Sequence, residues 1–429
     1  MSSLRSTNYV TYVRTQPRTV RAMASAAGLP DPRNPLQTSI GELESLLGPA
    51  EYKPSPFYAI AHNTNSIEDV RTALDAGYAN AIEVDVTAYE GRLNELCIGH
   101  EGPVGDGTGD FDDPRLSDFL TDLADLAKLR NELALVVFDC KPPAATRENG
   151  LTLRDTIRTH LTAVVPVNVI ISVGNITDVT PYRLKGTTMF DEITSNLGPR
   201  EGLMIDAQDQ PIEVSSFFAL RGVDRRCYGY GTSFGEEGTA DYRTPLQAAC
   251  WMRAARGEFR FIYAWTVNDV EDQKEYMRIG VDGIISDQNY LTQLYLETGS
   301  AGLARRTDNP FMPAMASYGL MVHTGNVHNG GTDANITFTL HGRDGNASMT
   351  VDTSLSGRME RDGINLLVLN SRDLGELHAM SVQRDDSGNA PDWYLDTVTI
   401  ESFRYQVKKH VVFNCWIDST AVFTGQVSA

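Results

Sequence analysis

Carboxylates, histidines and aromatics recur at the ends of apolar runs in this chain. The stretch Ala81-Ile82-Glu83-Val84-Asp85-Val86 carries two carboxylates two residues apart, and the run Leu133–Phe138 ends in Asp139-Cys140-Lys141. Residues i and i+2 of a strand point to one side, so Glu83 stands beside Asp85 and Asp139 beside Lys141. The run Phe259–Ala264 places Tyr263 and Trp265 on one side in the same way. Of eight histidines only His62, His100 and His160 precede residue 300, and His62 and His100 each end an apolar run. A single carboxylate pair at a strand end is more often a structural ion pair, and a lone histidine more often a surface or core residue. The repetition at successive strand ends is what points to a site.

The chemistry of that set is specific. Glu83, Asp85 and Asp139 supply three hard oxygen ligands, which suit Mg²⁺ better than zinc. A cation held by so few carboxylates keeps positions open for a phosphate, whose charge it neutralises. Lys141 adds a second positive contact to a phosphate oxygen. Two histidines can divide base and acid work near neutral pH. Tyr263 and Trp265 form an aromatic wall able to accept a quaternary ammonium. The residues therefore point to metal-assisted cleavage of a phosphodiester, with a choline-type headgroup as a natural leaving group. Cys140, between two residues of the set, is expected to face away into the core.

The elements that must position these residues follow from the rhythm of the chain. Nine strand-length apolar runs alternate with helical patterns: Phe57–Ala61, Ala81–Val86, Leu93–Gly99, Leu133–Asp139, Val167–Val173, Gly202–Ile205, Arg226–Tyr230, Phe259–Val267 and Val281–Ser286. Continuous apolar strands alternating with amphipathic helices such as Ser66–Leu74 and Leu116–Leu129 indicate a parallel sheet covered by helices. Over this length the expectation is an α/β fold, a (β/α)8 TIM barrel, with strand C-termini at the active face. Nine runs compete for eight places, and the run at Gly202 is the weakest. After residue 317 the helical patterns stop. Alternating runs separated by Gly330-Gly331, Asp344-Gly345, Asp362-Gly363 and Ser387-Gly388-Asn389 take over, which is the pattern of an all-β antiparallel sandwich. The expected organisation is an N-terminal extension over 1–55, a barrel over 56–312 and a β-sandwich over 317–429.

Composition excludes several partners. The 429 residues carry a formal charge of −19, and the pI is about 4.8. Proteins that hold nucleic acid or anionic membranes present a basic face, so neither is expected here. No apolar run approaches the ~20 residues of a membrane span. Five scattered cysteines make neither a disulfide framework nor a zinc site. The first 21 residues hold four arginines and no apolar core of a signal peptide.

The motif residues resemble a known family. Ala61-His62-Asn63-Thr64-Asn65-Ser66-Ile67 with Ala81–Val86 is similar to the opening of the glycerophosphodiester phosphodiesterase superfamily. Leu135–Lys141, Tyr263–Asp269 and Val281–Ser286 continue the likeness. Within it, Ala304-Arg305-Arg306-Thr307-Asp308-Asn309-Pro310-Phe311 resembles the tail motif of the sphingomyelinase D-like phospholipase D branch, which closes the bottom of the barrel. The resemblance covers roughly Phe57 to Phe311. It implies Glu83, Asp85 and Asp139 as Mg²⁺ ligands, His62 and His100 as the catalytic pair, Lys141 as a phosphate contact, and Tyr263, Trp265 and Asp287 as substrate-contacting residues. The implied reaction releases choline or ethanolamine from lysophospholipid or sphingomyelin. A hydroxyl of the substrate can attack phosphorus and leave a cyclic phosphate. Two departures stand out. The loop Glu101–Asp110 lacks the cysteine with which venom members close it, and Asp287 stands where the family has asparagine.

The last segment also has a resemblance. Tyr318–Gly325, Gly331–Ile336, Leu340–Gly342, Leu374–His378 and Pro391–Leu395 look like a PLAT domain, a module that places lipases and lipoxygenases on lipid or on a protein partner. Residues 317–429 carry 8 Lys/Arg against 13 Asp/Glu, so capture of anionic lipid by charge is not expected. Apolar loop tips or Ca²⁺ bridging through Asp333 would have to serve. Trp393, inside a strand pattern, is expected in the core. The leading expectation is thus a Mg²⁺-dependent phospholipase D-type enzyme. The competing ones are a glycerophosphodiester phosphodiesterase acting on water-soluble diesters, and a non-catalytic lipid- or protein-binding module. The branch implies secretion; the missing signal peptide leaves a cytoplasmic protein as the alternative. Asn175, Asn335 and Asn346 lie in glycosylation sequons.

Overall fold

The computed structural model describes residues 56–75, 79–100, 108–110, 112–174, 189–190, 193–194, 197–206, 209–231, 243–287, 302–311, 317–353 and 358–428. The expected N-terminal extension, the loop 101–107 and the sequon at Asn175 lie outside them. Two compact units divide the chain. One is built from Ser55–Ala249 and Glu258–Met312, the other from Pro313–Ala429 with the short stretch Cys250–Gly257.

The first unit is a closed barrel. Eight parallel strands form its wall: β1 (Tyr58–Ala61), β2 (Ala81–Tyr89), β4 (Leu135–Cys140), β5 (Asn168–Val173), β6 (Glu201–Ile205), β7 (Arg226–Gly231), β8 (Phe261–Trp265) and β9 (Gly283–Ser286). The ring closes because β1 pairs with both β9 and β2, Ala61 lying opposite Ser286 on one side and Ile82 on the other. Helices α1 (Ile67–Asp75), α2 (Leu116–Leu129), α3 (Arg147–Ile157), α4 (Pro211–Leu220), α5 (Arg243–Arg256) and α6 (Val270–Ile279) come between strands. All nine residues of β2 are buried. A strand covered on both faces needs continuous rather than alternating apolarity, which is the texture of these runs.

The ninth run is not in the wall. β3 (Arg92–Ile98) is antiparallel to β2 alone, with Val86 opposite Ile98. The run at Gly202, the weakest by sequence, is a full wall strand pairing with β5 and β7. The odd run is therefore Leu93–Gly99, and His100 does not end a barrel strand as expected. β2 overshoots the mouth, and β3 folds back along it as a hairpin. Gly99 then donates its N–H to the Asp85 carbonyl at 3.1 Å, so His100 returns to the level of the carboxylates by a different route.

At the opposite end the tail motif makes a floor. Phe311 packs into the cluster that fills the barrel with Tyr58, Val137, Ile170, Phe261 and Ile285. Position 202 must be glycine, because a Cβ there would lie 2.3 Å from the Phe311 ring. Arg306 donates to the carbonyls of Leu133 (3.2 Å), Ala127 (2.7 Å) and Arg130. Ala127 and Arg130 sit at the C-terminal end of α2, where carbonyls lack helical partners and a cation complements the helix dipole. Asn80 donates to Phe57 O and Ala304 O, and Asn168 to Ala134 O and Asp308 O, all within 2.7–3.0 Å. Arg200 reaches Asn168 Oδ1 and Arg306 O, both at 3.1 Å.

The second unit contains an antiparallel β-sandwich. Its strands are β10 (Ser317–Thr324), β11 (Ile336–Gly342), β12 (Gly345–Val351), β13 (Ile364–Asn370), β14 (Leu377–Arg384), β15 (Trp393–Ser402), β16 (Val407–Ile417) and β17 (Phe423–Ser428). They are ordered β12-β11-β14-β17-β16-β15-β10-β13, with β17 joining β14 to β16. β11 alternates buried and half-buried residues throughout, as one-sided strands do. Trp393 is fully buried, as expected, and donates its indole N–H to Thr324 Oγ1 at 2.9 Å. Two strands, β12 and β17, carry no clear apolar alternation in the sequence. β12 reads Gly-Asn-Ala-Ser-Met-Thr-Val, too polar to announce itself as a strand.

Candidate active site

Two wall strands bring the carboxylates together at the mouth. β2 and β4 pair in register with Asp85 opposite Asp139, so the i, i+2 pair on β2 meets its neighbour on β4. One oxygen from each of Glu83, Asp85 and Asp139 lies within 4.8 Å of the others, the group among the described residues able to share a metal ion. Glu83 and Asp85 are 4% and 1% exposed. Burial, then the charges of Asp85 and Asp139, push the Glu83 carboxyl well above its ordinary range. Asp85 is buried too, but the Lys141 ammonium and the Asn65 amide outweigh that and hold it below its usual range. Lys141 Nζ lies 2.6 Å from both Asp85 Oδ1 and Asp139 Oδ2. Burial alone would depress the Lys141 ammonium; Asp139, Asp85 and Glu83 raise it instead, so it stays charged. Three hard oxygens gathered where water is scarce, one of them kept from ionising by its neighbours, fit a divalent cation.

The turn after β1 serves this cluster. Asn63 adopts φ +54°, a left-handed conformation that asparagine tolerates, and points its N–H at Glu83 Oε2 at 2.7 Å. Asn65 donates to Asp85 Oδ2 at 2.7 Å and accepts from the Asp85 N–H at 2.9 Å. His62, one residue past β1, places Nδ1 2.7 Å from Asp287 Oδ1. His100 is exposed and close enough to Asp85 to help lower the Asp85 carboxyl.

Tyr263 and Trp265 converge on one residue. The Tyr263 hydroxyl donates to Asp206 Oδ2 at 2.5 Å, and the Trp265 indole donates to the Asp206 carbonyl at 2.6 Å. Burial and the charge of Asp139 raise the Asp206 carboxyl to about 7, although the Tyr263 hydroxyl acts against them. Glycine at 229 leaves the room this needs, since a Cβ there would come within 2.5 Å of Asp206 and 2.9 Å of the Tyr263 ring. Cys140 is 3% exposed and bonds back to Phe138 O, away from the cluster as expected. Asp333 is exposed and outside the group that can share an ion.

Sequence reasoning missed Asn63, Asn65, Asp206 and Asn268. Asp206 follows a five-residue strand, so the strand-end rule that found Asp139 applies to it too. The asparagines have no spacing signal; only the turn that carries them brings them to the carboxylates. Asn268 donates to Asp287 Oδ2 at 2.8 Å.

A family model described as Dermonecrotic toxin SPH matches residues 52–311, and a PLAT/LH2 domain model matches residues 318–424. The Dermonecrotic toxin SPH of Ixodes scapularis is 26% identical over 254 residues, which cover 54% of this chain and 68% of that protein. Lipoxygenase homology domain-containing protein 1 of Mus musculus is 35% identical over 89 residues, 20% of this chain; the match spans only 4% of that relative's length. Among solved structures, a putative glycerophosphoryl diester phosphodiesterase from Silicibacter pomeroyi is 16% identical, covers 60% of this chain and 99% of its own, and has a TM-score of 0.40. The SPH model takes in more than half of the 429 residues, including every barrel strand and the tail that floors it, and on that match the chain belongs to the dermonecrotic toxin SPH family, with a PLAT/LH2 domain following the barrel.

Proposed function

We propose that the chain is a Mg²⁺-dependent phosphodiesterase of phospholipase D type, releasing choline or ethanolamine from lysophospholipid or sphingomyelin. The observation that carries this reading is the meeting of Glu83, Asp85 and Asp139 within 4.8 Å at the barrel mouth, with Lys141 against two of them. Glu83, Asp85 and Asp139 would hold the cation, which when bound supplies charge neutralisation and Lewis acidity at phosphate. Lys141 offers a fixed positive charge to a phosphate oxygen. One histidine of the pair His62 and His100 takes the proton of the attacking hydroxyl as its oxygen bonds to phosphorus. The other gives a proton to the headgroup oxygen as the old P–O bond breaks. Attack by a hydroxyl of the substrate leaves a cyclic phosphate; attack by water leaves an open one. Tyr263 and Trp265 orient the headgroup, and Asp206, bonded to both, holds them in place.

The sandwich has a supporting part in this reading. Val412, Trp416 and Val422 are exposed large apolar side chains on it, suited to a neutral or zwitterionic lipid surface. A protein partner or Ca²⁺ at Asp333 is the other reading of this unit. Secretion accords with extracellular phospholipid as substrate. Among the described residues no helix is long and apolar enough to cross a membrane.

Phosphorus NMR of the Mg²⁺-supplied protein with a panel of phosphodiesters tests the proposal. Choline release from lysophosphatidylcholine or sphingomyelin, abolished by EDTA, is the expected result. Preference for glycerophosphocholine would favour the water-soluble diester reading. Liposome binding without any product would leave a non-catalytic module.

A further inference from the structure

Where β7 and β8 begin, two arginines stand side by side. Cys227 lies opposite Phe261 in the β7–β8 pairing, and both side chains enter the cluster that fills the barrel. The residues just before them on each strand, Arg226 and Arg260, therefore face outward from the wall together, and the Arg260 N–H donates to Arg226 O at 3.0 Å. Arg226 is 6% exposed. Its Nη2 lies 3.2 Å from Glu258 Oε2 and its Nη1 donates to Ser215 O at 3.2 Å, but its buried Nε–H has no acceptor among the described residues. The Glu258 carboxylate is shared, because the Ser215 hydroxyl donates to the same oxygen. Arg225, the preceding residue, spends Nη1 on the carbonyls of Leu197 at 3.1 Å and Gly198 at 2.7 Å.

Arg260 is half-buried, and among the described residues its guanidinium makes no hydrogen bond and no ion pair. Burial, then the charge of Arg226, lower its pKa, and the exposed carboxylate of Asp224 does not offset them. Arg225, Arg226 and Arg260 against Asp224 and Glu258 leave an excess of positive charge, in a chain whose net charge is −19. A charge withdrawn from water costs free energy unless it is paired. Adjacent guanidinium forks with N–H groups to spare match the oxygens of a phosphate or sulfate. We propose that Arg226 and Arg260 form a site for a small tetrahedral oxyanion, phosphate or sulfate, on the outside of the barrel wall at the end opposite the mouth. The anion accepts from the Arg260 fork and from Arg226 Nε–H, and it offsets the repulsion between the two charges. Arg226 lies too deep for the headgroup of a bilayer, so the occupant is a free ion. The site is independent of the phosphodiesterase reading, and its role is to stabilise the fold.

The test is thermal unfolding of the full chain without Mg²⁺, in chloride at constant ionic strength, with phosphate or sulfate raised through the millimolar range. The wild-type midpoint is expected to climb with the logarithm of either oxyanion, by about 3–6 °C at ten times the dissociation constant. Arg260→Gln is expected to match or exceed the wild type in chloride alone, because it removes an unpaired charge beside Arg226, and to lose the climb. Phosphate that reaches Lys141 acts on both proteins alike and cancels in the comparison. An equal climb in both proteins, or no climb in the wild type, overturns the proposal. So does an Arg260→Gln chain that is less stable than the wild type in chloride or fails to fold, because the arginine then serves the fold without any anion. Phosphatidate vesicles carrying the same amount of phosphate are expected to leave the wild-type midpoint unchanged. A climb with vesicles and none with the free ion overturns the assignment to a free oxyanion.

Discussion

The two ends of the barrel bury polar side chains to opposite effect. At the floor, Asn80, Asn168, Arg200 and Arg306 each spend their donors on backbone carbonyls or on one another. At the mouth, Glu83, Asp85 and Asp139 crowd together with one lysine between them, and the balance leaves Glu83 held up and Asp206 raised to about 7. Unmet charge in a buried place destabilises a fold, so a barrel keeps it only where something is to be bound. These floor amides and guanidinium groups find their partners within the chain, whereas the proposed role of the mouth is to receive a charge from outside. This division matches the general separation of stability and function between the two faces of such barrels.

Breaking the mouth should remove activity and spare the fold. His62→Ala or His100→Ala is expected to lower kcat by about 10²- to 10⁴-fold, with an unchanged unfolding midpoint. Steady-state assays beside thermal unfolding check this, and near-normal turnover in either variant removes that histidine from the pair. Breaking the floor should do the reverse. Phe311→Ala empties a site inside the barrel cluster and is expected to destabilise by about 3–5 kcal/mol by denaturant unfolding. The protein that remains folded is expected to keep its kcat.

A pH experiment sharpens the contrast. Asp206 rises from 3.8 to about 7 on folding, and Glu83 also rises. Between about pH 4 and 7 the folded state therefore holds protons that the unfolded state has lost, and stability must fall as pH rises through that window. The metal-free protein is expected to lose several degrees of unfolding midpoint across it, and Asp206→Asn to flatten the slope. The smallest effect is expected in the sandwich. Asp385 accepts from the Ser387 hydroxyl, the Asn335 side-chain amide and the Ser387 and Asn335 backbone N–H groups, which hold its carboxyl at about 2. Here the sign is opposite: stability is present above the unfolded value and lost as pH falls toward 2. Asp385 is exposed, so solvent screening keeps the loss in Asp385→Asn under about 1 kcal/mol at pH 7.

What could be read from the sequence follows the same division. Continuous apolar runs report strands well, and the eight wall strands were all among the nine runs. Apolarity does not report a strand's partner, which is why β3 passed for a wall strand and β6 looked doubtful. Carboxylates at i, i+2 reveal themselves because the pleat alone brings them to one side. Asn63, Asn65 and Asn268 act through a turn and a loop whose shapes depend on contacts far along the chain, so no local pattern marks them. The floor asparagines, Asn80 and Asn168, were silent for the same reason. The tail motif was visible only through family resemblance, since Arg306 and Phe311 find their partners more than 100 residues away.

Glu83, Asp85 and Asp139 are proposed to hold a divalent cation at the mouth. Thermal unfolding of the wild type and of Asp139→Asn against increasing Mg²⁺ tests this most directly, because an ion bound only by the folded state raises stability with its concentration. At 100 times the dissociation constant the gain is about 2.7 kcal/mol. The wild-type midpoint is expected to climb with Mg²⁺ and the Asp139→Asn midpoint to stay flat. A wild-type midpoint indifferent to millimolar Mg²⁺, or an equal climb in the variant, would mean that these carboxylates do not hold the ion.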